Sequence, residues 1–235
     1  DRLYISKLIR YFSQIFTALL LIFISNSSFL NLLNFNSLNL ILFLILVIAG
    51  VFLITAIINF FNFMDGIDGL VSSIFIFYLL YLCFTDSTNK IFLLVSLIAF
   101  LLFNWTPAKI FMGDSGSTFI GSVYVGTLLE ATEIKEFILR IIIFTPLLGD
   151  AFITLILRMV NNQNIFKGHK LHLYQRLNQA GIDHAQISLL YLCLSMVICL
   201  LGFYNLLSSI IFSILVVLFG IYLNRYKAVP FNKYY

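Results

Sequence analysis

Residues 38 to 70 decide the fold, because they read LNLILFLILVIAGVFLITAII and then NFFNFMDGIDGL. The first part is long enough to cross a bilayer, which takes about 20 apolar residues. The second part places two carboxylates and two glycines directly after that run. A charged side chain at the bilayer centre costs about 2.5 to 3.5 kcal/mol on insertion scales. We therefore expect Asp65 and Asp68 where the membrane ends or a wet cavity begins, and they are candidate functional residues.

The whole chain has the composition of a membrane protein. It is 61% hydrophobic and only 10% charged, and its mean hydropathy is +1.04. Soluble domains contain far more charge. The composition predicts an all-α, polytopic integral membrane helical bundle, which we treat as a single transmembrane domain over residues 1–235. About eight transmembrane helices are expected, over 8–25, 38–58, 70–85, 90–104, 117–130, 137–157, 185–204 and 206–224.

The three middle runs are short, so one of them could instead be re-entrant, which would reverse the orientation of everything after it. Positive charge favours eight alternating spans with a cytoplasmic start, because cytoplasmic loops collect Lys and Arg. Only Lys90, Lys135 and Arg140 then lie outside. The formal charge of +4 indicates a basic cytoplasmic face near anionic lipid headgroups, not nucleic-acid binding.

Three polar segments, 59–69, 105–116 and 158–184, face the same inner side, while the outer connections are minimal. In the first, Asp65 and Asp68 share one face if the helix continues through them, and could hold one cationic or phosphate-bearing ligand. Asn59 and Asn62 add amide donors one turn earlier, and the two glycines would let a ligand approach the backbone. The alternative is a polar helix end with turn glycines.

The second segment, NWTPAKIFMGDSGS, runs from Asn104 to Ser117. A carboxylate followed by small residues at a helix start suits Mg²⁺, which takes oxygen ligands and usually shares them with substrate phosphates. Asp114 is the candidate ligand, and Lys109 could neutralise a phosphate. The alternative is that Asp114 only caps a helix that begins near Ser117.

The third segment contains GHKLHLYQRL, residues 168 to 177. It has histidines at 169 and 172 but no clear third ligand for zinc, so anion binding by His169, His172 and Arg176 fits better than a metal site. A basic loop resting on lipid headgroups is the alternative.

Two further acidic positions favour structural roles. Asp150 lies within the run 137–157 and eight residues before Arg158, so both share one helical face and suggest an ion pair or helix packing. Asp183 and His184 are typical helix-start residues.

Taken together, NFFNFMDGIDGL, the segment from Asn104 to Ser117 and the run from His172 to Leu177 occur in one order and on one face. In this the chain resembles the polyprenyl-phosphate N-acetylhexosamine-1-phosphate transferases, glycosyltransferase family 4. The opening DRLYISKLIRYFSQ is similar to the family segment that follows a pair of adjacent aspartates. Asp1 would be the second of that pair, and we expect about three N-terminal helices to be missing.

The resemblance implies transfer of a sugar 1-phosphate from a UDP-N-acetylhexosamine to a polyprenyl phosphate such as undecaprenyl phosphate, releasing UMP. It implies Mg²⁺, or Mn²⁺, as cofactor, a homodimer as one assembly, and a multi-pass enzyme of the bacterial inner membrane with its active site on the cytoplasmic face. Asp114 would be the metal ligand and Asp1, Asp65 and Asp68 the catalytic carboxylates. Substrate would be bound by Asn59, Asn62, Asn104, Lys109, His169, His172 and Arg176.

Two mechanisms fit the resemblance. In direct displacement, Asp1 deprotonates or orients the lipid phosphate; in double displacement, a carboxylate carries the phosphosugar. We favour the direct route, because a phosphate monoester is already a competent nucleophile at neutral pH.

Tyr174 and Gln175 replace two histidines that many members carry. This departure resembles the subgroup that starts O-antigen synthesis from N-acetylfucosamine or N-acetylquinovosamine donors. Two other classes stay open. A transporter would place its carboxylates near the bilayer midplane and show paired halves, and an inactive membrane scaffold would share the fold alone.

Overall fold

A computed structural model describes residues 7–24, 39–85, 90–165 and 167–231. These parts of the chain form α-helices and connecting loops, and they confirm the all-α, polytopic membrane fold. The candidate catalytic residue Asp1 lies outside the described residues. In chain order, the helices within the described residues are α1 Lys7–Ile24, α2 Leu40–Met64, α3 Leu70–Thr85, α4 Ile91–Asn104, α5 Gly113–Leu129, α6 Ile134–Ile143, α7 Thr145–Val160, α8 Leu173–Gln179, α9 His184–Tyr204 and α10 Leu206–Tyr226.

In the part of the chain that the structure describes, three helices, α2, α9 and α10, are long and apolar enough to cross a membrane, and α6 with α7 makes a fourth candidate if the pair is one span. The other apolar helices are shorter. At about 1.5 Å per residue, the 14 residues of α4 reach only about 21 Å of a hydrocarbon core about 30 Å thick. The count of eight spans therefore stays a prediction.

Two elements differ from the expected pattern. The run 137–157 is not one continuous helix, because the helical backbone is interrupted at Phe144 between α6 and α7. The Phe144 ring is fully buried and packs edge-on against Tyr78 at 5.1 Å between centroids. The third polar segment contains the short helix α8, which hydropathy did not indicate because it is only 7 residues long and four of them are Gln, Arg or Asn.

The chain divides into two compact units, and the prediction of a single domain stays a prediction. Unit 1 comprises Asp1–Asn62 and Gly113–Ile141; unit 2 comprises Phe63–Met112 and Ile142–Tyr235. Each unit is described by itself.

In unit 1, α1 packs on α5, and α5 also approaches α2 closely. A side chain at Gly121 would meet the Ile58 backbone at 3.0 Å, so this glycine permits the approach. Next to this contact, the ring centroids of Phe61 and Tyr124 lie 5.1 Å apart. The Tyr124 hydroxyl donates a hydrogen bond to the Arg140 carbonyl at 3.1 Å.

In unit 2, α3 is the central helix, and most of its side chains are buried between α4 and α9. α10 packs on α9 and α7, and α8 contacts α7, α9 and α10. The position of α8 at the end of these helices places the third polar segment next to the loop that follows α2, as the contacts below show.

Candidate functional site

Four of the predicted site residues, Asn62, Asp68, Asp114 and His172, lie with other polar residues in three clusters, and each cluster lies within one unit. The Asp114 cluster of unit 1 consists of Arg10, Asn62, Asp114 and Ser117. The Asp68 cluster of unit 2 consists of Asp68, Thr106, Ala108 and His184. The α8 cluster, also in unit 2, consists of Asp150, His172, Tyr174 and Tyr191.

Asp114 lies in the first turn of α5, which begins at Gly113 and not near Ser117 as expected. Its carboxylate accepts a hydrogen bond from the Asn62 amide at 3.1 Å and forms an ion pair with Arg10. Asn62 also donates to the Ser117 hydroxyl at 2.9 Å. The Asp114 side chain is 46% exposed, so it stays reachable from solvent. The structure thus joins Asp114 to Asn62, two residues predicted from separate segments.

The oxygen atoms of this cluster are of the kind that Mg²⁺ prefers. The described residues contain no group of three or more His, Cys, Asp or Glu side chains that could hold a metal by themselves. Mg²⁺ does not need such a cage, since it commonly takes one or two carboxylates and completes its shell with water and substrate phosphates. Asp114 fits that role, although a cation there would displace the Arg10 guanidinium.

Asn59 lies one turn before Asn62 and pairs with α1. Its amide group donates to the Gln14 side chain at 3.0 Å, and Gln14 donates back at 3.2 Å. This reciprocal amide pair holds α1 against α2, so Asn59 has a helix-packing role, and its predicted role in substrate binding stays a prediction.

Asp65 and Asp68 do not share a helical face, because α2 ends at Met64 and residues 65–69 form a loop. The reason lies in the glycines. Gly69 has a φ of +72°, a conformation that favours glycine, and a side chain there would lie 2.7 Å from the Trp105 ring. A side chain at Gly66 would lie 2.0 Å from the Tyr174 hydroxyl. The space expected for a ligand beside these glycines is thus filled by two aromatic rings.

Asp68 is held by groups from the loop after α4 and from the first turns of α9. Its carboxylate accepts from the Thr106 hydroxyl at 2.7 Å and the Ala108 amide at 3.1 Å, and it lies 3.3 Å from the His184 imidazole. Its backbone carbonyl accepts from Ser188 at 2.8 Å. Burial raises the pKa of Asp68, but these hydrogen bonds outweigh burial and hold the pKa below its ordinary value. Asp68 is therefore a carboxylate at neutral pH.

The loop that carries Thr106 and Ala108 is fixed by Asn104, at the end of α4. The buried Asn104 side chain accepts from the Gly69 amide at 3.2 Å and the Ser72 hydroxyl at 2.8 Å, and donates to the Ile110 carbonyl at 3.0 Å. These bonds give Asn104 a structural role. Lys109 is exposed on the same loop, which keeps its ammonium group available to a phosphate.

His169 and His172 of the third segment lie side by side, with ring centroids 4.9 Å apart. Burial lowers the pKa of His172 to about 3, and the charges of Arg158 and Arg176 contribute. Burial and the neighbouring His172 likewise lower the pKa of His169 to about 3. Both rings are thus neutral at pH 7, and the anion-binding role predicted for them would depend on hydrogen bonds rather than charge.

Arg176 is buried, with 1% of its surface exposed. Its guanidinium donates to the Leu171 carbonyl at 3.0 Å, to the Val229 carbonyl at 2.8 Å and to the Asn224 side chain. These bonds tie α8 to the end of α10. They give Arg176 a structural role, and diphosphate binding by this residue stays a prediction.

A small, largely apolar cavity of about 50 Å³ lies between α7, α8, α9 and α10, and its polar lining includes Asp150, Arg176 and Asn224.

Sequence reasoning missed two partners of the predicted carboxylates, Arg10 for Asp114 and His184 for Asp68. His184 was interpreted only as the first residue of a helix. A polar residue next to an apolar run was the available signal in both cases, but the pairing depends on tertiary packing that no local pattern shows.

Comparisons with known proteins agree with these motifs. Residues 1–132 match the family model for glycosyl transferase family 4. A probable undecaprenyl-phosphate N-acetylglucosaminyl 1-phosphate transferase of Bacillus subtilis is 35% identical over 123 residues, which are 51% of this chain and 32% of that protein. A phospho-N-acetylmuramoyl-pentapeptide-transferase of Carboxydothermus hydrogenoformans is 30% identical over 115 residues, 48% of this chain and 34% of its own.

A decaprenyl-phosphate N-acetylglucosaminephosphotransferase of Mycobacterium leprae is 30% identical over 116 residues, 43% of this chain and 29% of the relative. The matched part of the chain therefore spans about a third of the length of these relatives.

Proposed function

Because this chain belongs to glycosyl transferase family 4, we propose that the protein transfers a sugar 1-phosphate from a UDP-N-acetylhexosamine to a polyprenyl phosphate. The observation that most directly supports this proposal is the family match over residues 1–132, which includes both NFFNFMDGIDGL and the segment with Asp114. Relatives named for polyprenyl-phosphate acceptors and for two kinds of phosphosugar support the same reaction class.

The proposed step exchanges one phosphorus–oxygen bond for another. An oxygen of the polyprenyl phosphate attacks the sugar-bearing phosphorus, and the bond from that phosphorus to the bridging oxygen breaks. UMP leaves with the bridging oxygen, and the bond between the sugar and its phosphate stays intact. The product is a polyprenyl diphosphate sugar.

Asp114 is the proposed ligand of Mg²⁺, or of Mn²⁺. When bound, the ion would neutralise diphosphate oxygens and the charge that develops on UMP. Arg10 occupies the Asp114 carboxylate in the described state, so the same carboxylate has an alternative cationic partner. The exposed Lys109 would contact a phosphate, and Asp65 and Asp68 would position the nucleotide, Asp68 as a carboxylate at neutral pH.

The proposed setting is the bacterial inner membrane, with the reaction on the cytoplasmic face. Support comes from the excess of Lys and Arg in the loops that eight spans with a cytoplasmic start would put inside. A homodimer belongs to the same proposal.

The identity of the donor sugar is the most specific part of the proposal. Replacement of two histidines by Tyr174 and Gln175 suggested an N-acetylfucosamine or N-acetylquinovosamine donor for O-antigen synthesis, whereas the matched relatives are named for N-acetylglucosamine and N-acetylmuramoyl-pentapeptide. A panel containing all four donors separates these options.

The test is UMP release by the complete open reading frame in detergent, supplied with undecaprenyl phosphate, Mg²⁺ and that panel. We expect UMP release that needs the lipid and stops with EDTA. Absence of UMP with every donor, from a folded protein, would contradict the proposal. Flux of a solute into proteoliposomes would then support the transport alternative.

A further inference from the structure

Asp150 is a buried carboxylate that no predicted role explains. It lies on α7 with 6% of its surface exposed. Its oxygens accept from the Leu173 amide at 2.7 Å, the Tyr174 amide at 3.1 Å and the Tyr191 hydroxyl at 2.9 Å. The sequence suggested an ion pair or helix packing, but the partners are the first backbone amides of another helix.

Those two amides belong to the first turn of α8, where the N–H groups of any helix lack partners within the helix. A helix of 7 residues is too short to be stable alone, and a buried amide without a partner is costly. A carboxylate from α7 therefore supplies what the start of α8 lacks.

α8 in turn places Tyr174. The Tyr174 ring is fully buried, and its hydroxyl donates to the Phe63 carbonyl at 3.0 Å. The ring fills the space beside Gly66, in the loop with Asp65 and Asp68. A chain of contacts thus runs from Asp150 through the backbone of α8 to Tyr174 and then to the acidic loop.

We propose that Asp150 is a positioning residue: it fixes the start of α8, and through Tyr174 it sets the conformation of the Asp65–Asp68 loop. An effect of Asp150 on turnover rests on the proposed function, but the structural coupling between Asp150 and the loop does not. Two measurements distinguish the effect on turnover from the structural coupling.

The first measurement is hydrogen–deuterium exchange of the complete protein in detergent, for wild type and Asp150→Asn. The amide of asparagine would face an N–H donor and leave one α8 amide without an acceptor. We expect exchange about tenfold faster or more in peptides covering 171–177 and 63–70, with unchanged exchange in α10. Asp183→Asn is the matched control, because asparagine caps a helix as well as aspartate does and Asp183 caps α9 in the same unit.

Unchanged exchange in the two peptides, or a uniform increase throughout unit 2 in Asp150→Asn, would overturn the structural coupling. This readout does not depend on any substrate, so it stands even if the proposed reaction is wrong.

The second measurement is turnover of Asp150→Asn, Tyr174→Phe and the double variant. If Asp150 acts through Tyr174, each single variant lowers kcat and the double variant is within about twofold of the slower single one. If the reductions in kcat of the two single variants instead multiply in the double variant, Asp150 does not act through Tyr174, and the proposed route is overturned. Absence of turnover in wild type with every donor would contradict the proposed function and leave the exchange result to decide the coupling.

Discussion

Gly66 shows how a single residue connects two polar segments of unit 2. A Cβ at this position would lie 2.0 Å from the hydroxyl oxygen of Tyr174 and 2.9 Å from the ring carbon that bears it. No such contact is tolerated, so either the ring or the loop would have to move. Position 66 must therefore be glycine to make room for the Tyr174 ring of the protein itself.

Gly66→Ala should therefore destabilise the fold by about 1 to 3 kcal/mol, the usual cost of overpacking. Adding Tyr174→Leu should restore part of the loss, since it removes the clashing atoms. The measurement is Tm in detergent, with Gly168→Ala as control, because nothing lies within 4 Å of a side chain at Gly168. Equal Tm for Gly66→Ala and Gly168→Ala would show that the Tyr174 contact is not formed.

Asp114→Asn should abolish turnover, at least 100-fold, while the protein still inserts in the membrane. The amide keeps the shape of the side chain but loses the charge that would hold Mg²⁺ or pair with Arg10. Glu133→Gln is a matched control, since Glu133 is exposed in the same unit. The measurement is UMP release at saturating substrate, and turnover like that of wild type would remove Asp114 from the metal role.

The buried His172 predicts a pH dependence of stability. Its pKa is about 3 in the folded chain, against an ordinary value of 6.5. Between these values the unfolded chain binds more protons than the folded chain, so the free energy of unfolding falls as the pH drops from about 6.5 toward 3. We expect a decrease in Tm from pH 7 to pH 5 that is smaller in His172→Gln. An equal decrease in both proteins would contradict this.

Among the elements, α8 is the one whose position depends most on distant residues. Asp150 of α7 holds the start of α8, and Arg176 connects the last turn of α8 to Asn224 near the end of α10 and to Val229 just after α10. α8 has few contacts of its own to hold it, because it is only 7 residues long.

Arg176→Lys should lower Tm, although it keeps the positive charge. Lysine cannot donate to three acceptors in the fixed arrangement of a guanidinium, and each lost bond to a charged group costs about 1.5 to 3 kcal/mol. Arg225→Lys, at the exposed end of α10, is the control. An unchanged Tm in Arg176→Lys would instead favour a residue that serves only substrate binding.

At this scale, hydropathy predicted most helices because burial in lipid depends on local apolar length, as in α2 and α10. It could not predict the interruption at Phe144, since residues on both sides of it are apolar and the buried ring packs against Tyr78 on a distant helix. The pairing of Asn62 with Asp114 was equally hidden, because it depends on how α2 meets α5 and not on either motif alone.

For the whole molecule, family membership connects features that the two units show separately. Unit 1 holds an exposed carboxylate beside an amide and a guanidinium, and unit 2 holds a second carboxylate that is ionised at neutral pH. Carboxylates can hold a divalent cation, which would offset the repulsion between the two phosphate-bearing substrates of the proposed reaction.

In the proposed reaction, the phosphorus atom is transferred together with the sugar. The most direct measurement supplies the complete protein with undecaprenyl phosphate, Mg²⁺ and a UDP-N-acetylhexosamine labelled with ³²P only at the sugar-bearing phosphorus. We expect the label to appear in the extracted lipid while unlabelled UMP is released. Label that stays in water-soluble UDP while the lipid gains sugar alone would show transfer of the glycosyl group and contradict the proposed reaction.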